Sequence, residues 1–171
     1  SMGGAVALAC ALRYKGSLKG LALSAPALAT GEAVSSLKKL TLRLLSSLAP
    51  NAGALTLPAT AISRDRAVVE AYEQDPLVFR GAIPARTIVE LLQAMAGFPA
   101  SAPELRIPVL VQHGTADSLV PLAATRPVYD LLGQPKARTL RYYDGLFHEV
   151  YNEPERDRVI ADLAAWIEAH R

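Results

Sequence analysis

Apolar residues recur along the chain with two spacings, and their order predicts a fold in which strands and helices alternate. Short β-rich segments bounded by Gly or Pro are typical of buried parallel strands. Three occur, at 18–24, 107–114 and 137–144. Apolar residues at helical spacing predict helices around these strands. The predicted helices cover 2–14, 35–48, 65–73, 87–96, 122–132 and 156–170.

This alternation favours an α/β fold with a parallel sheet and helical crossovers. Between residues 28 and 103 the pattern predicts amphipathic helices and no strand, with Pro84 and Gly97 as helix start and stop signals. We therefore expect a helical insertion at 28–103 and a core built from 1–27 and 104–171. Three parallel strands make a poor sheet. The chain is expected to be the second half of its fold, with the remaining strands in the same protein or a separate chain.

Composition and charge narrow the class of protein. A chain of 171 residues, 51% hydrophobic and 20% charged, is typical of one globular domain. A net charge of +2 with scattered cations argues against a nucleic-acid partner. A membrane-spanning helix needs about 18 uninterrupted apolar residues. No stretch of this sequence approaches that length. No signal peptide is visible, which excludes little if the natural N-terminus lies upstream.

The single cysteine, Cys10, lies among apolar helix formers. This position predicts a buried structural thiol. A chain with one cysteine forms no internal disulfide, which favours a reducing, cytoplasmic compartment. Neither Cys10 nor the histidines have metal-ligand spacing, and the glycines form no dinucleotide motif. No metal or cofactor is therefore expected.

Three residues with catalytic potential lie next to the predicted elements. Ser1 precedes the first helix, Asp117 lies in HGTADSLVP after the second strand, and His148 lies in DGLFHE after the third. Active residues of parallel sheets gather beyond the carboxyl ends of the strands. A serine becomes nucleophilic when an imidazole accepts its proton and a carboxylate orients that imidazole. The chain order Ser, Asp, His is that of α/β-hydrolases.

Each of these residues also has a simpler interpretation. Ser1 is typical of a tag remnant, or of an N-terminal nucleophile whose own amine acts as the base. Asp117 is also typical of a turn or a helix N-cap. Of the other histidines, His113 is expected to pack at a strand end and His170 to be solvated. Gly3 and Gly4 are expected to let the first helix approach neighbouring backbone.

Four motifs in order resemble the monoacylglycerol lipase family. SMGGAVAL resembles the right-hand part of that family's G-H-S-M-G-G nucleophile elbow, HGTADSLVP its acid loop and DGLFHEVYNEPER its histidine loop. RDRAVVEAYEQDPLVFRGAIPARTIVELLQAM, at 64–95, resembles its cap, including the run A-Y-x-x-D-P-L-V. The resemblance implies an α/β-hydrolase fold with a helical cap at 28–103. It also implies that the N-terminal half of the sheet lies outside this sequence.

The resemblance assigns Ser1 as nucleophile, Asp117 as acid and His148 as general base, with the amide of Met2 in the oxyanion hole. It implies hydrolysis of a monoacylglycerol or similar lipid ester to fatty acid and glycerol, without a cofactor. The G-H before the serine and the loop with the second oxyanion donor are not in this sequence. A related carboxylesterase, lysophospholipase or haloperoxidase-like hydrolase is an alternative. A non-catalytic hydrolase-like domain that binds a lipid or a partner is another.

Substrate contacts are expected from the cap and the acid loop. In the cap, Tyr72 is expected near the glycerol end. The leucines of 35–48 are expected either to pack on the core or to line an acyl tunnel. Peripheral contact with a membrane, with Lys38, Lys39 and Arg43 towards the headgroups, is the other interpretation. The apolar residues assigned to substrate binding are Leu40, Leu44, Leu45, Leu119 and Val120.

Overall fold

The α-helices and the strands of the central sheet follow the predicted order. The structure, a computed structural model, describes residues 1–14, 16, 18–30 and 35–170. The helices are α1 (Met2–Arg13), α2 (Ser36–Leu48), α3 (Arg66–Gln74), α4 (Ala85–Ser101), α5 (Leu122–Tyr129) and α6 (Arg156–Ala169). The strands are β1 (Leu21–Ser24), β2 (Gly53–Leu55), β3 (Ile83–Pro84), β4 (Val109–Gly114) and β5 (Arg138–Tyr143).

A parallel sheet in the order β1-β4-β5 forms the centre of the fold. Leu21 of β1 pairs with Val109 of β4, and β4 pairs with β5 from Val109 to Gly114. All six residues of β4 are buried, because helices and loops cover both faces of a central parallel strand. The carboxyl ends of the three strands lie at one edge. The loops that follow them are therefore neighbours.

Helix α1 packs on this sheet through residues spaced three apart. Ala5, Leu8 and Ala11 are buried in the same cluster as the apolar residues of β1 and β4. A fully buried leucine such as Leu8 contributes about 1.5–3 kcal/mol. Cys10 is exposed, so the prediction of a buried thiol is wrong. The thiol lies outside the buried face because 5, 8 and 11 are the positions turned to the core.

The stretch between β1 and β4 contains strands that the pattern did not predict. Gly53–Leu55 pairs antiparallel with Ile83–Pro84, which corrects the expectation of helices alone. Strands of two and three residues are too short to show an alternating pattern. The predicted stop at Gly97 is also wrong, because α4 continues to Ser101 and its last turn is held by the buried Phe98. The domain boundaries at 27/28 and 103/104 stay a prediction.

Candidate active site

Ser1 occupies the N-cap of α1 without using its side chain as a cap. The Ser1 carbonyl accepts the amides of Gly4 at 3.1 Å and Ala5 at 3.3 Å, whereas its hydroxyl makes no capping bond. Ser1 is exposed. A helix N-terminus stabilises negative charge through its free amides and dipole. The Met2 amide is one of these free donors, because the first helical position has no acceptor within the helix.

The start of α1 is pressed against the loop that follows β1. The Ala27 amide donates to the Ser1 carbonyl at 3.1 Å. A Cβ atom at Gly4 would lie 2.6 Å from the Pro26 Cβ, whereas one at Gly3 would meet nothing within 4 Å. The predicted close approach is therefore confirmed for Gly4 and is wrong for Gly3. Only glycine at position 4 allows Ser1 this position.

Asp117 lies in a tight turn after β4, and its carboxylate is buried. Oδ1 accepts the amides of Leu119 and Val120, each at 2.9 Å. Oδ2 accepts His148 Nδ1 at 2.8 Å and lies 3.1 Å from His113 Nε2. Burial alone would raise the pKa of Asp117, but the bonds from His113, His148 and Val120 outweigh burial and hold it well below 3.8. The carboxylate is therefore ionised at neutral pH.

His148 lies in the loop after β5, five residues beyond the end of that strand. The turn into this loop uses Gly145, whose φ of 72° is in the left-handed region that favours glycine. Because Asp117 can only accept, His148 Nδ1 carries the proton of their hydrogen bond. Nε2 is then the basic nitrogen of the neutral imidazole. The structure thus brings the predicted acid and base into contact.

The acid loop and the histidine loop are joined by their backbones. The Thr115 amide donates to the Tyr143 carbonyl at 2.9 Å, and the Ala116 amide donates to the Leu146 carbonyl at 3.0 Å. A Cβ atom at Gly114 would lie 2.2 Å from the Leu146 oxygen. The absence of a side chain at Gly114 lets the two loops meet.

His113 is structural, as predicted, but its contact with Asp117 was not foreseen. The side chain is fully buried, with Nδ1 at 2.8 Å from the Tyr129 hydroxyl and Nε2 at 2.9 Å from the Val120 carbonyl. The Tyr129 hydroxyl donates to the Pro26 carbonyl at 3.1 Å. His113 therefore links the acid loop to the loop beside Ser1. In the sequence, the feature that pointed to this contact is the separation of four residues between His113 and Asp117.

The acid loop lies beside Ser1. Leu119 and Val120, whose amides donate to Asp117 Oδ1, line the same cavity as Ser1. The start of α1 and the acid loop therefore meet at one edge of the sheet.

A mostly apolar cavity of about 490 Å³ opens beside Ser1. Leu119 and Val120, two of the predicted substrate contacts, line it together with Met2. Much of the remaining lining comes from residues between β1 and β4 that were not predicted from the sequence to bind substrate. Those residues include Leu55, Leu57, Phe79, Ile83, Thr87, Ile88, Leu91, Leu92 and Met95.

The other predicted substrate contacts do not line this cavity. Leu40 and Leu44 are exposed, because α2 lies against α4 and turns Leu42, Leu45 and Ser46 inward. Neither the tunnel nor the core-packing interpretation therefore describes Leu40 and Leu44. Tyr72 is half-buried on α3, outside the lining of the cavity. A role of Tyr72 or Leu45 in binding substrate stays a prediction.

Asp75 and His170 each make a local contact. Asp75, which precedes Pro76, accepts the Leu77 amide at 2.8 Å, a bond typical of aspartate in turns. His170 is not simply solvated, because its ring stacks on Trp166. Within the described part of the chain, no three His, Cys, Asp or Glu side chains converge as metal ligands.

A serine at a helix N-terminus and an Asp–His pair beyond two parallel strands, in this chain order, are typical of α/β-hydrolases. The crystal structure of the Paleococcus ferrophilus monoacylglycerol lipase has this fold. It matches the chain with a TM-score of 0.87 at 24% identity, over 98% of this chain and 65% of that one. The chain therefore folds as part of an α/β-hydrolase.

Sequence comparison identifies the family. Residues 1–155 match the family described as serine aminopeptidase, S33, so the chain belongs to that hydrolase family. It is 39% identical to a Mycolicibacterium smegmatis protein named monoacylglycerol lipase, over 99% of this chain and 60% of that protein. It is 30% identical to the Homo sapiens monoglyceride lipase, over 98% of this chain and 56% of that protein. The resemblance to monoacylglycerol lipases is confirmed, and the chain spans less than two thirds of either relative.

Proposed function

We propose that this chain carries the nucleophile, acid and base of a serine hydrolase that cleaves monoacylglycerols. The hydrogen bond of 2.8 Å between Asp117 and His148, next to a cavity that includes Ser1, is the observation that carries this proposal. Hydrolysis of a lipid ester by this site needs no cofactor. The names of the relatives support the choice of substrate.

The proposed reaction is acyl transfer to the serine and then to water. Ser1 Oγ attacks the ester carbonyl while His148 Nε2 takes the hydroxyl proton, and the same nitrogen returns it to the departing glycerol oxygen. Water then attacks the acyl-enzyme and releases the fatty acid. Asp117 stays ionised and holds the imidazolium. The Met2 amide stabilises the oxyanion.

The lining of the cavity supports an acyl substrate. Apolar pockets with few polar groups bind hydrocarbon ligands and orient them through those groups. Here the hydroxyl groups of Ser1, Thr30 and Thr87 are the polar side chains in a lining of leucine, isoleucine, methionine and phenylalanine. A single acyl chain fits this chemistry better than a charged or sugar-like substrate.

We further propose that additional strands of the fold pair with the free edge of β1. In the described residues, β1 has a neighbour on one side only, in β4. Met2, Val6 and Cys10 are exposed on α1 at intervals of four residues, and Tyr14 is exposed four residues further on, at the C-cap of the helix. Strand edges and apolar stripes of this kind are normally covered. The strands would come from the same protein or a second chain, and their loops would supply the second oxyanion donor.

A fluorophosphonate probe tests the nucleophile directly. The chain is labelled alone and joined to the polypeptide encoded upstream of it, in each case beside Ser1→Ala and the exposed-serine control Ser47→Ala. We expect labelling of the longer form that Ser1→Ala abolishes and Ser47→Ala leaves intact. A longer form that folds but takes up no probe would contradict catalysis and favour the non-catalytic lipid-binding domain.

The substrate is tested in the form that labels. We expect hydrolysis of a long-chain monoacylglycerol to exceed that of the diacylglycerol, of a lysophospholipid and of a short p-nitrophenyl ester. Faster cleavage of the lysophospholipid or the short ester would assign the site to the related esterases instead. Equal rates for all four would remove the proposed selectivity for monoacylglycerols.

We also propose that α2 contacts the surface of an anionic membrane. Leu37, Leu40, Leu44 and Leu48 are exposed along one side of this helix, and Lys38, Lys39 and Arg43 are exposed on the same helix. Exposed leucines beside cations are typical of helices that lie in a bilayer interface. Among the residues described, no helix has the length and apolarity to cross a bilayer.

A further inference from the structure

Glu153 is a fully buried carboxylate five residues beyond His148. Its Oε1 accepts the Phe147 amide at 2.9 Å and the Arg64 amide at 3.1 Å, and its Oε2 accepts Arg64 Nε at 2.8 Å. Arg64 also pairs with the more exposed Glu155. Burying a charge without partners costs several kcal/mol. Glu153 is stable in this position because the Arg64 guanidinium and two amides satisfy it.

Arg64 belongs to a strip, residues 62–64, that precedes α3 and lies along the histidine loop. The Glu149 amide donates to the Ile62 carbonyl at 2.8 Å. The Ser63 hydroxyl donates to the Asn152 carbonyl at 2.9 Å. Ile62 and Ser63 are both buried. We call this strip together with Glu153 the anchor. It fixes part of the stretch between β1 and β4 onto the loop that carries the proposed general base.

The anchor holds the backbone on both sides of His148. The amide before it, at Phe147, donates to Glu153, and the amide after it, at Glu149, donates to Ile62. The imidazole has Asp117 as its partner at Nδ1. Asp117 therefore sets the orientation of the ring, whereas the anchor sets the position of the backbone from which the ring extends.

We propose that Arg64 and Glu153 are positioning residues that hold His148 in place for catalysis. This inference rests on the proposed function and adds that the base depends on a contact made by the insertion. Arg64 holds the Glu153 carboxylate in place through its Nε–H, and Glu153 holds the Phe147 amide. The insertion then does more than line the cavity, because displacement at the anchor releases the loop that carries His148.

Four variants test the proposal in the form of the protein that takes up the probe: Arg64→Met, Arg64→Lys, Glu153→Gln and the double variant R64M/E153Q. Displacement of a catalytic group by about 1 Å costs up to about 10²-fold in rate. We expect Arg64→Met and Glu153→Gln to slow fluorophosphonate labelling and kcat by about 10- to 100-fold, with little change in KM. Lysine retains the charge, so Arg64→Lys should recover part of the rate. The matched control is Arg66→Met, because Arg66 is exposed and two residues away.

The double variant separates positioning from stability. Removing Arg64 alone leaves a buried unpaired carboxylate, whereas removing both charges does not. We expect R64M/E153Q to unfold at a higher temperature than Arg64→Met and yet to label as slowly. A labelling rate that follows thermal stability across the set would overturn the proposal. Wild-type rates in the folded Arg64→Met and Glu153→Gln variants would overturn it as well.

Hydrogen–deuterium exchange tests the anchor without reference to activity. The Phe147 and Glu149 amides should be protected in the native protein and exchange at least about tenfold faster in Arg64→Met and Glu153→Gln, but not in Arg66→Met. Unchanged protection in the two anchor variants contradicts the inference, whether or not the protein is labelled. Faster exchange in a protein that takes up no probe supports the anchor and contradicts only the proposed function.

Discussion

Asp117 is the residue on which the two buried histidines of the site converge. Four donors surround its carboxylate: two backbone amides and one nitrogen from each of His113 and His148. Hydrogen bonds to the charged form outweigh burial and lower the pKa of Asp117 below its usual value. The carboxylate therefore stabilises the fold as well as serving the proposed reaction.

Asp117→Asn is expected to change how stability depends on pH. The unfolded pKa is near 3.8 and the folded pKa is lower. The carboxylate therefore stabilises the fold fully above about pH 4, by a few kcal/mol, and this contribution is lost as pH falls from there through the folded pKa. Urea unfolding between about pH 7 and pH 2 measures it. The variant should be less stable at neutral pH and should lose less stability on acidification.

Asp144→Asn is the control for this experiment. Asp144 is an exposed aspartate in the neighbouring loop and accepts the Thr115 hydroxyl at 3.1 Å. Its removal should leave the acid-induced loss of stability close to that of the wild type. If Asp117→Asn also followed the wild-type curve, the hydrogen bonds around Asp117 would not stabilise its charged form in solution.

At the scale of elements, Gly114 sets the distance between the acid loop and the histidine loop. A Cβ atom there would lie 2.2 Å from the Leu146 oxygen and 2.3 Å from the Phe147 oxygen. Both neighbours are backbone atoms directly before His148. They cannot move aside as a flexible side chain would, so any side chain at 114 must displace the loop.

Gly114→Ala is therefore expected to lower the free energy of unfolding by about 1–3 kcal/mol, as overpacking does, and to slow labelling of Ser1. Gly97→Ala is the control, since a Cβ atom at this exposed position in α4 would meet nothing within 4 Å. Alanine in a helix should instead stabilise the protein by about 0.5–1 kcal/mol. Thermal unfolding and probe labelling of both variants measure this. Wild-type stability in Gly114→Ala would show that the loops meet less closely.

Elements with a strong local pattern could be predicted from the sequence, and those made by distant pairing could not. The apolar run that became β4 and the helical spacing of α1 and α6 are properties of neighbouring residues. Strands β2 and β3 exist because Gly53–Leu55 meets Ile83–Pro84, which no local pattern shows. The exposed leucines of α2 have the same periodicity as buried ones. Periodicity identifies an apolar face but not what covers it.

The same limit explains which contacts of the candidate site could be predicted from the sequence and which could not. Asp117 and His148 could be predicted because each follows a strand end, and strand ends of a parallel sheet are neighbours. The partnership of Arg64 with Glu153 joins positions 89 residues apart and leaves no motif of its own. Burial of a glutamate in NEPER could not be predicted, since glutamate is rarely buried without a partner, and the partner lies in another element.

At the scale of the whole molecule, the exposed apolar surface of α2 is expected to control attachment to membranes. Burying a leucine side chain is worth about 1.5–3 kcal/mol. Leu40→Ser with Leu44→Ser should therefore lower partitioning onto vesicles of phosphatidylglycerol and phosphatidylcholine by roughly tenfold or more. Replacing Lys38 and Lys39 by Gln should weaken binding at low salt and have less effect at high salt. Co-sedimentation with the vesicles measures both.

The control changes the same side chains elsewhere on the surface. Leu18 and Leu131 are also exposed leucines but lie outside α2, so Leu18→Ser with Leu131→Ser should bind vesicles as the wild type does. If both pairs reduced binding equally, general surface hydrophobicity would explain it and α2 would have no special role. Loss of binding in the α2 pair alone, with hydrolysis of a dispersed short-chain ester unchanged, would separate membrane attachment from chemistry. That separation is expected because Leu40 and Leu44 lie outside the lining of the cavity beside Ser1.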